Sequence, residues 1–193
     1  MAPLNDVLGL AGAGVRITLD SSEYTLKPFT KGMQAEYSAW LKRRARAEAI
    51  DTARLMRSQA RRLAEEARAI NDRLLGDDNF EDRHALDERL RDLASEVRAL
   101  EHDASNHLAE VDDRAAAGAY DFGGKIAVDS LNSVAGSVQY LWLSLRPAHP
   151  TVRIEEVERL HDRHWAALRD ALNELAQLEK KASPGVQEAG TSA

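Results

Sequence analysis

The chain has 193 residues, a formal net charge of -6 and no cysteine. That length can bury a core without covalent staples, and the lack of thiols excludes disulfides and thiolate metal sites. The acidic balance argues against general nucleic-acid binding. A composition rich in Ala, Leu and charged residues, the last at 30%, favours helix.

Residues 1–14 are Gly- and Ala-rich and read as a flexible arm. They lack a basic leader ahead of their apolar part, so no signal peptide is expected. No run reaches the roughly 18 apolar residues that a bilayer span needs, and a cytoplasmic protein is expected. Val15 to Leu19 alternates as a strand does. Asp20, Ser21 and Ser22 form a turn cluster, and Glu23 to Lys27 alternates again, so 15–28 reads as a β-hairpin that Pro28 ends. A lone hairpin is marginal, and Tyr24, Leu26 and Phe29 are its expected contacts with a helix.

Thr30 can cap a helix over 30–75. Within it Ala49, Ala53, Met56, Ala60, Leu63, Ala67, Ile70 and Leu74 make a thin heptad seam. After a turn at Gly76–Asn79, a helix over 84–114 carries a second seam through Leu86, Leu90, Leu93, Val97, Leu100, Ala104, His107 and Val111. Residues 42–75 hold ten bases and five acids, whereas 76–114 hold five bases and thirteen acids. Opposite charge and matched length predict an antiparallel helical, coiled-coil-like hairpin. The seams can also pair between chains, so self-association through them is a further expectation.

Gly118, Gly123 and Gly124 mark a connector. Helices are predicted over 126–145 and 154–180, and a disordered tail over 183–193. The fold class is therefore mainly α. An N-terminal hairpin packs on a helical bundle, with 15–182 as a single domain.

Catalytic and cofactor patterns fail one by one. Ala119–Ile126 places Ala and Ile where a phosphate loop needs Gly and Ser or Thr. Gly9, Gly12 and Gly14 precede a strand, the reverse of a dinucleotide fingerprint. His161 and His164 share a helix, yet nothing completes a zinc set, and His161 falls on the apolar stripe. No enzyme activity, cofactor or metal is expected. Lys42, Arg43, Arg44 and Arg46 ahead of a heptad seam offer a DNA-binding dimer as an alternative. Glu48 and Asp51 interrupt that cluster and the acidic arm can neutralise it, so no nucleic-acid partner is expected.

Two segments carry a resemblance. Ile17 to Thr30 reads Ile-Thr-Leu-Asp-Ser-Ser-Glu-Tyr-Thr-Leu-Lys-Pro-Phe-Thr, and Tyr140 to Pro150 reads Tyr-Leu-Trp-Leu-Ser-Leu-Arg-Pro-Ala-His-Pro, followed by Ile154-Glu-Glu-Val157. In this order they resemble the tail assembly chaperones of long, flexible-tailed bacteriophages and prophages, with a hairpin leading into a first helix and a Leu-Trp-Leu-Ser-Leu helix end before a His-Pro turn. Arg153 stands where such proteins often have a Thr cap, and the Arg-rich hairpin between the segments is longer than the pattern. The resemblance implies a host-cytoplasmic chaperone that binds the tape-measure protein, with the tail-tube subunit as a further partner and no membrane. The alternative is a coiled-coil adaptor retained in the virion. Because Trp and Tyr dominate interface energetics, the candidate partner-binding residues are Tyr140, Leu141, Trp142, Leu143, Leu145 and Trp165. The competing structural reading packs Trp142 on Trp165 or Phe29.

Overall fold

The computed structural model describes residues 14–76 and 80–182. The expected tail, nearly all of the expected arm and most of the Gly76–Asn79 turn lie outside the described residues. The elements are β1 (Val15–Leu19), β2 (Ser22–Leu26), α1 (Lys31–Gly76), α2 (Phe80–Ala116), α3 (Lys125–Leu131), α4 (Val134–Leu145) and α5 (Ile154–Ala182). The fold is mainly helical with an N-terminal antiparallel hairpin, as the periodicities predict. Where the sequence pattern treats 15–182 as one domain, the chain forms two compact units. One comprises the described residues up to Ser38 and from Asp121 onward, and the other is Ala39–Tyr120.

In the first unit, β1 and β2 pair with Val15 opposite Leu26 and Ile17 opposite Tyr24. The turn residues Asp20 and Ser21 have φ of 47° and 66°. Two successive left-handed residues give the turn that matches the right-handed twist of the strands. Asp tolerates this conformation at modest cost. The Asp20 carboxylate also lies 3.0 Å from His164 Nε2 and 3.7 Å from Arg163 Nη1 on α5. Strand alternation turns Val15, Leu19 and Leu26 inward, onto Val138, Leu141 and Leu145 of α4 and Val157, Leu160, Leu168 and Leu175 of α5. Burying each such side chain is worth about 1.5–3 kcal/mol, which fixes the otherwise marginal hairpin.

The single helix expected over 126–145 is two. Ser133 Oγ accepts from the Gly136 amide at 3.1 Å and donates to the Ser130 carbonyl at 2.7 Å. The serine thereby caps α4 and offers the backbone an alternative to a continuous helix. Gly136 is required because a Cβ there would run into the Ser130 carbonyl. α5 departs from helical geometry at His164 (φ -129°, ψ 23°), the residue beside Asp20.

In the second unit, the long part of α1 packs against α2. Ala49, Ala53, Ala60, Leu93, Ala104 and Val111 are buried, and the remaining residues of both predicted seams are half-buried. Arg89 pairs with Glu66 at 3.0 Å and Arg46 with Asp112 at 3.5 Å. These pairs join the start of α1's long part to the end of α2 and its end to the start of α2, an antiparallel arrangement. The seam is thin because alanine recurs along it.

Candidate partner-binding surface

The apolar run of α4 divides among three environments. Leu141, Leu143 and Leu145 are at most 1% exposed, and Leu141 and Leu145 belong to the core beneath the hairpin. The end of β2 is tied to the same helix, since the Lys27 amide donates to the Ser144 carbonyl at 2.9 Å.

Tyr140 is half-buried and stacks on Phe29, with ring centroids 4.2 Å apart. Phe122 stacks on Phe29 at 5.0 Å, and Tyr37 meets Phe122 edge-on at 5.8 Å. Offset and edge-on pairs of this kind add about 0.5–1.5 kcal/mol each beyond area burial. The Tyr37 hydroxyl reaches the Ser130 Oγ at 3.3 Å, so this aromatic cluster also holds the end of α3. Phe122 is a member that periodicity could not find, because it lies in the Gly-rich connector.

Trp142 is also half-buried. Its indole Nε1 donates to the Val152 carbonyl at 3.1 Å, and the Arg146 guanidinium lies over its ring at 4.9 Å. Arg146 is held there by Glu36 of α1 at 2.7 Å. Both polar ends of the Trp142 environment are therefore occupied within the fold, and only part of the ring faces outward.

Trp165 differs from the rest, with 38% of its surface exposed. It lies against the buried His161 ring at 4.6 Å. The His161 Nε2 meets Ser137 Oγ at 2.9 Å, and that hydroxyl donates to the Val134 carbonyl at 3.0 Å. The direction of the His161–Ser137 bond follows the imidazole tautomer. Val134, 60% exposed, begins the turn that carries Ser137. Trp165 and Val134 thus present apolar surface from neighbouring helices. Of the six candidate residues, Trp165, Trp142 and Tyr140 retain surface for a partner, and the three leucines serve the core.

The histidines flagged by spacing face different ways: His161 faces Ser137 and His164 faces Asp20. Among the described residues no cluster of three or more His, Asp or Glu could hold a metal ion, and no helix is long and apolar enough to cross a membrane. A polar recess of about 230 Å³ lies beside the hairpin turn, lined by Asp20, Tyr24, Glu156, Arg159, Leu160 and Arg163. The Tyr24 hydroxyl donates to Glu156 Oε1 at 3.1 Å. Burial, and then the Glu156 carboxylate, push its pKa above the usual 10.0, so it is a donor and not a base at neutral pH. In the basic cluster of α1, Arg44 bridges Glu48 at 2.7 Å and lies 5.6 Å over the Trp40 ring, while Arg46 turns to Asp112. Arg44 and Arg46 are thus paired with acids of the helices.

His149 has a role that sequence reading missed. Its Nε2 accepts from the Thr25 amide at 2.9 Å, and its ring lies 5.6 Å from that of Tyr24. Comparison with protein-family models, with curated proteins and with solved structures finds no match to this chain.

Proposed function

We propose that the chain is a tail assembly chaperone of a long-tailed bacteriophage or prophage, a binding protein that holds segments of the tape-measure protein, and in addition tail-tube subunits, during tail assembly. One observation supports this reading above the others. The two segments that carry the resemblance lie more than 100 residues apart in the sequence, yet they are halves of one packed unit. Tyr24 and Thr25 of the first engage His149 of the second, and Leu26 packs with Leu141 and Leu145. The intervening hairpin that departs from the family pattern forms a unit of its own.

The first unit supplies the binding surface on this reading. An apolar helix of a long coiled partner would seat against Trp165 and Val134. Large aromatics at such positions dominate binding, and exposed charges on a distant helix contribute little.

Co-expression with the tape-measure protein and affinity capture test the reading. Trp165→Ala should lower recovery of the partner at least about tenfold, the loss expected of an anchor worth about 1.4 kcal/mol or more. Arg62→Ala should retain the partner. Equal recovery with both variants would remove the anchor. Presence of the protein in purified mature tails would favour the retained adaptor instead.

A further inference from the structure

The helical hairpin of the second unit has two exposed flanks of opposite charge. The Glu66–Arg89 pair marks one of them. Helical spacing carries that flank along α2 through Asp92, Glu96, Asp103, Glu110 and Asp113, all exposed. On the opposite flank, α1 presents Arg54, Arg57, Arg61 and Arg68, also exposed and not interrupted by an acid. The other helix does not cancel either sign. On the arginine flank, α2 adds Asp87, Glu101 and Asp112 against Arg91 and Arg98. On the carboxylate flank, α1 adds Glu48 and Glu66 against Arg62 and Arg73.

Most of these charges form no salt bridge within the fold, although Asp92 and Glu96 act on Arg89 through space. Among the described residues, Arg57, Arg61 and Arg68 make no ion pair, and neither do Asp92, Glu96 and Asp103. Each flank also carries small and apolar positions between its charges. Ile50 and Ala64 lie among the arginines, and Leu55 and Ala99 lie on the carboxylate side. Ile50 is 36% and Leu55 72% exposed.

We propose that this hairpin is a self-association surface, in which the arginine flank of one copy seats on the carboxylate flank of the next. Charge complementarity selects a second copy of this chain, because the same molecule carries both halves of the match. The area is adequate. From Ala49 to Leu74 the helix rises about 40 Å, and two helices side by side measure about 20 Å, giving about 800 Å² per flank, the size of one side of a standard interface. Stacking would also cover the half-buried seam residues that a two-helix layer leaves open to water. The contact joins two different surfaces, so it does not close on a two-fold axis and adds copies progressively. It does not depend on the chaperone assignment.

Sedimentation of the full chain at low and high salt tests the proposal. Raising salt from about 50 mM to about 0.5 M shortens the screening length from about 14 Å to about 4 Å. The mean mass should grow with protein concentration at low salt, and association should weaken at least about tenfold at high salt. A variant with Arg57→Glu, Arg61→Glu and Arg68→Glu should be monomeric, as should one with Asp92→Lys, Glu96→Lys and Asp103→Lys. Mixing the two should restore association, and a chain carrying all six changes should again self-associate. The mixture guards against simple misfolding, since unfolded variants would not rescue each other. A monomer at low salt, association untouched by charge reversal, or a silent mixture would each overturn the proposal. So would a rise in mass seen only with added polyanion, which would assign the arginine flank to nucleic acid.

Discussion

The two units solve the problem of burial in opposite ways. The first gathers large side chains from four elements around Leu26, Leu141 and Leu168, and braces them with the Phe29, Tyr37, Phe122 and Tyr140 rings. Some of its polar groups are matched closely, as in Thr25 with His149 and Ser133 with Gly136, while Ser144 Oγ and His161 Nδ1 are buried without a hydrogen-bond partner. The second is a single layer of two helices along an alanine-rich seam, with Leu93 as its fully buried large residue. It has length and charge where the first has depth. A layer two helices thick cannot shield both sides of its seam, so it depends more on ion pairs and on neighbours. Packing depth therefore distinguishes the first unit, and exposed charge distinguishes the second.

The sharpest way to break this comparison is to remove the same side chain from each unit. Leu141→Ala and Leu93→Ala each empty a site that is fully buried. At Leu141 the rigid surroundings should not collapse, and a loss of about 3–4 kcal/mol is expected. At Leu93 the seam residues one turn away, Leu90 and Val97, are only half-buried and can close over the gap, so about 2 kcal/mol is expected. Urea unfolding measures both losses. Amide exchange should confine the Leu93→Ala effect to 39–120. Exchange that rises equally in α4 would show one cooperative unit where two are described.

The hairpin and both seams were legible in the sequence because each follows a strict period. Val15 to Leu19 alternates, and Ala49 to Leu74 steps by four and three, and neither pattern needs distant information. The boundary within 126–145 was not legible. Leu131, Val134 and Val138 keep helical spacing across the break, so the apolar pattern hides a serine cap. The anchor run was legible only as apolar. Leu141 and Trp142 look alike to a pattern, and only the packed hairpin decides which faces the core. The aromatic cluster was legible only in part: Phe29 is an expected helix contact, but Phe122 comes from an irregular segment that no period reaches. The opposite flanks of the hairpin could be read only once the Glu66–Arg89 pair had set which stripes share a side.

A smaller effect tests the local bracing of the first unit. Ser133→Ala removes the acceptor for the Gly136 amide while leaving the apolar faces intact. Loss of such a cap costs about 1 kcal/mol. Positions 132 and 133 should then be free to join α3 and α4 into the continuous helix that the apolar pattern predicts. Denaturation should report the loss, and amide exchange at Gly136 should rise. An unchanged stability would mean that the break is held by the close approach of Gly136 to Ser130 alone, and not by the serine.

The smallest expected effect concerns the seam between β2 and α5. Tyr24 is held protonated by burial first and then by its hydrogen bond to Glu156, so its pKa lies above the ordinary 10.0. Below about pH 10 the phenol is neutral in the folded and the unfolded chain, and its contribution to stability is complete. Above that, the unfolded chain loses the proton first, and the contribution fades as pH rises through the folded pKa. Alkaline titration of the phenolate absorbance, compared between the native chain and Tyr24→Phe, isolates this one group among four tyrosines. The difference should centre above pH 10.0, and the variant should lose less stability over the same alkaline range. A difference centred at or below 10.0 would mean that the Glu156 contact does not hold the phenol. The hairpin would then rest on its leucines alone, and the first unit would be closer in kind to the second than its hydrogen bonds indicate.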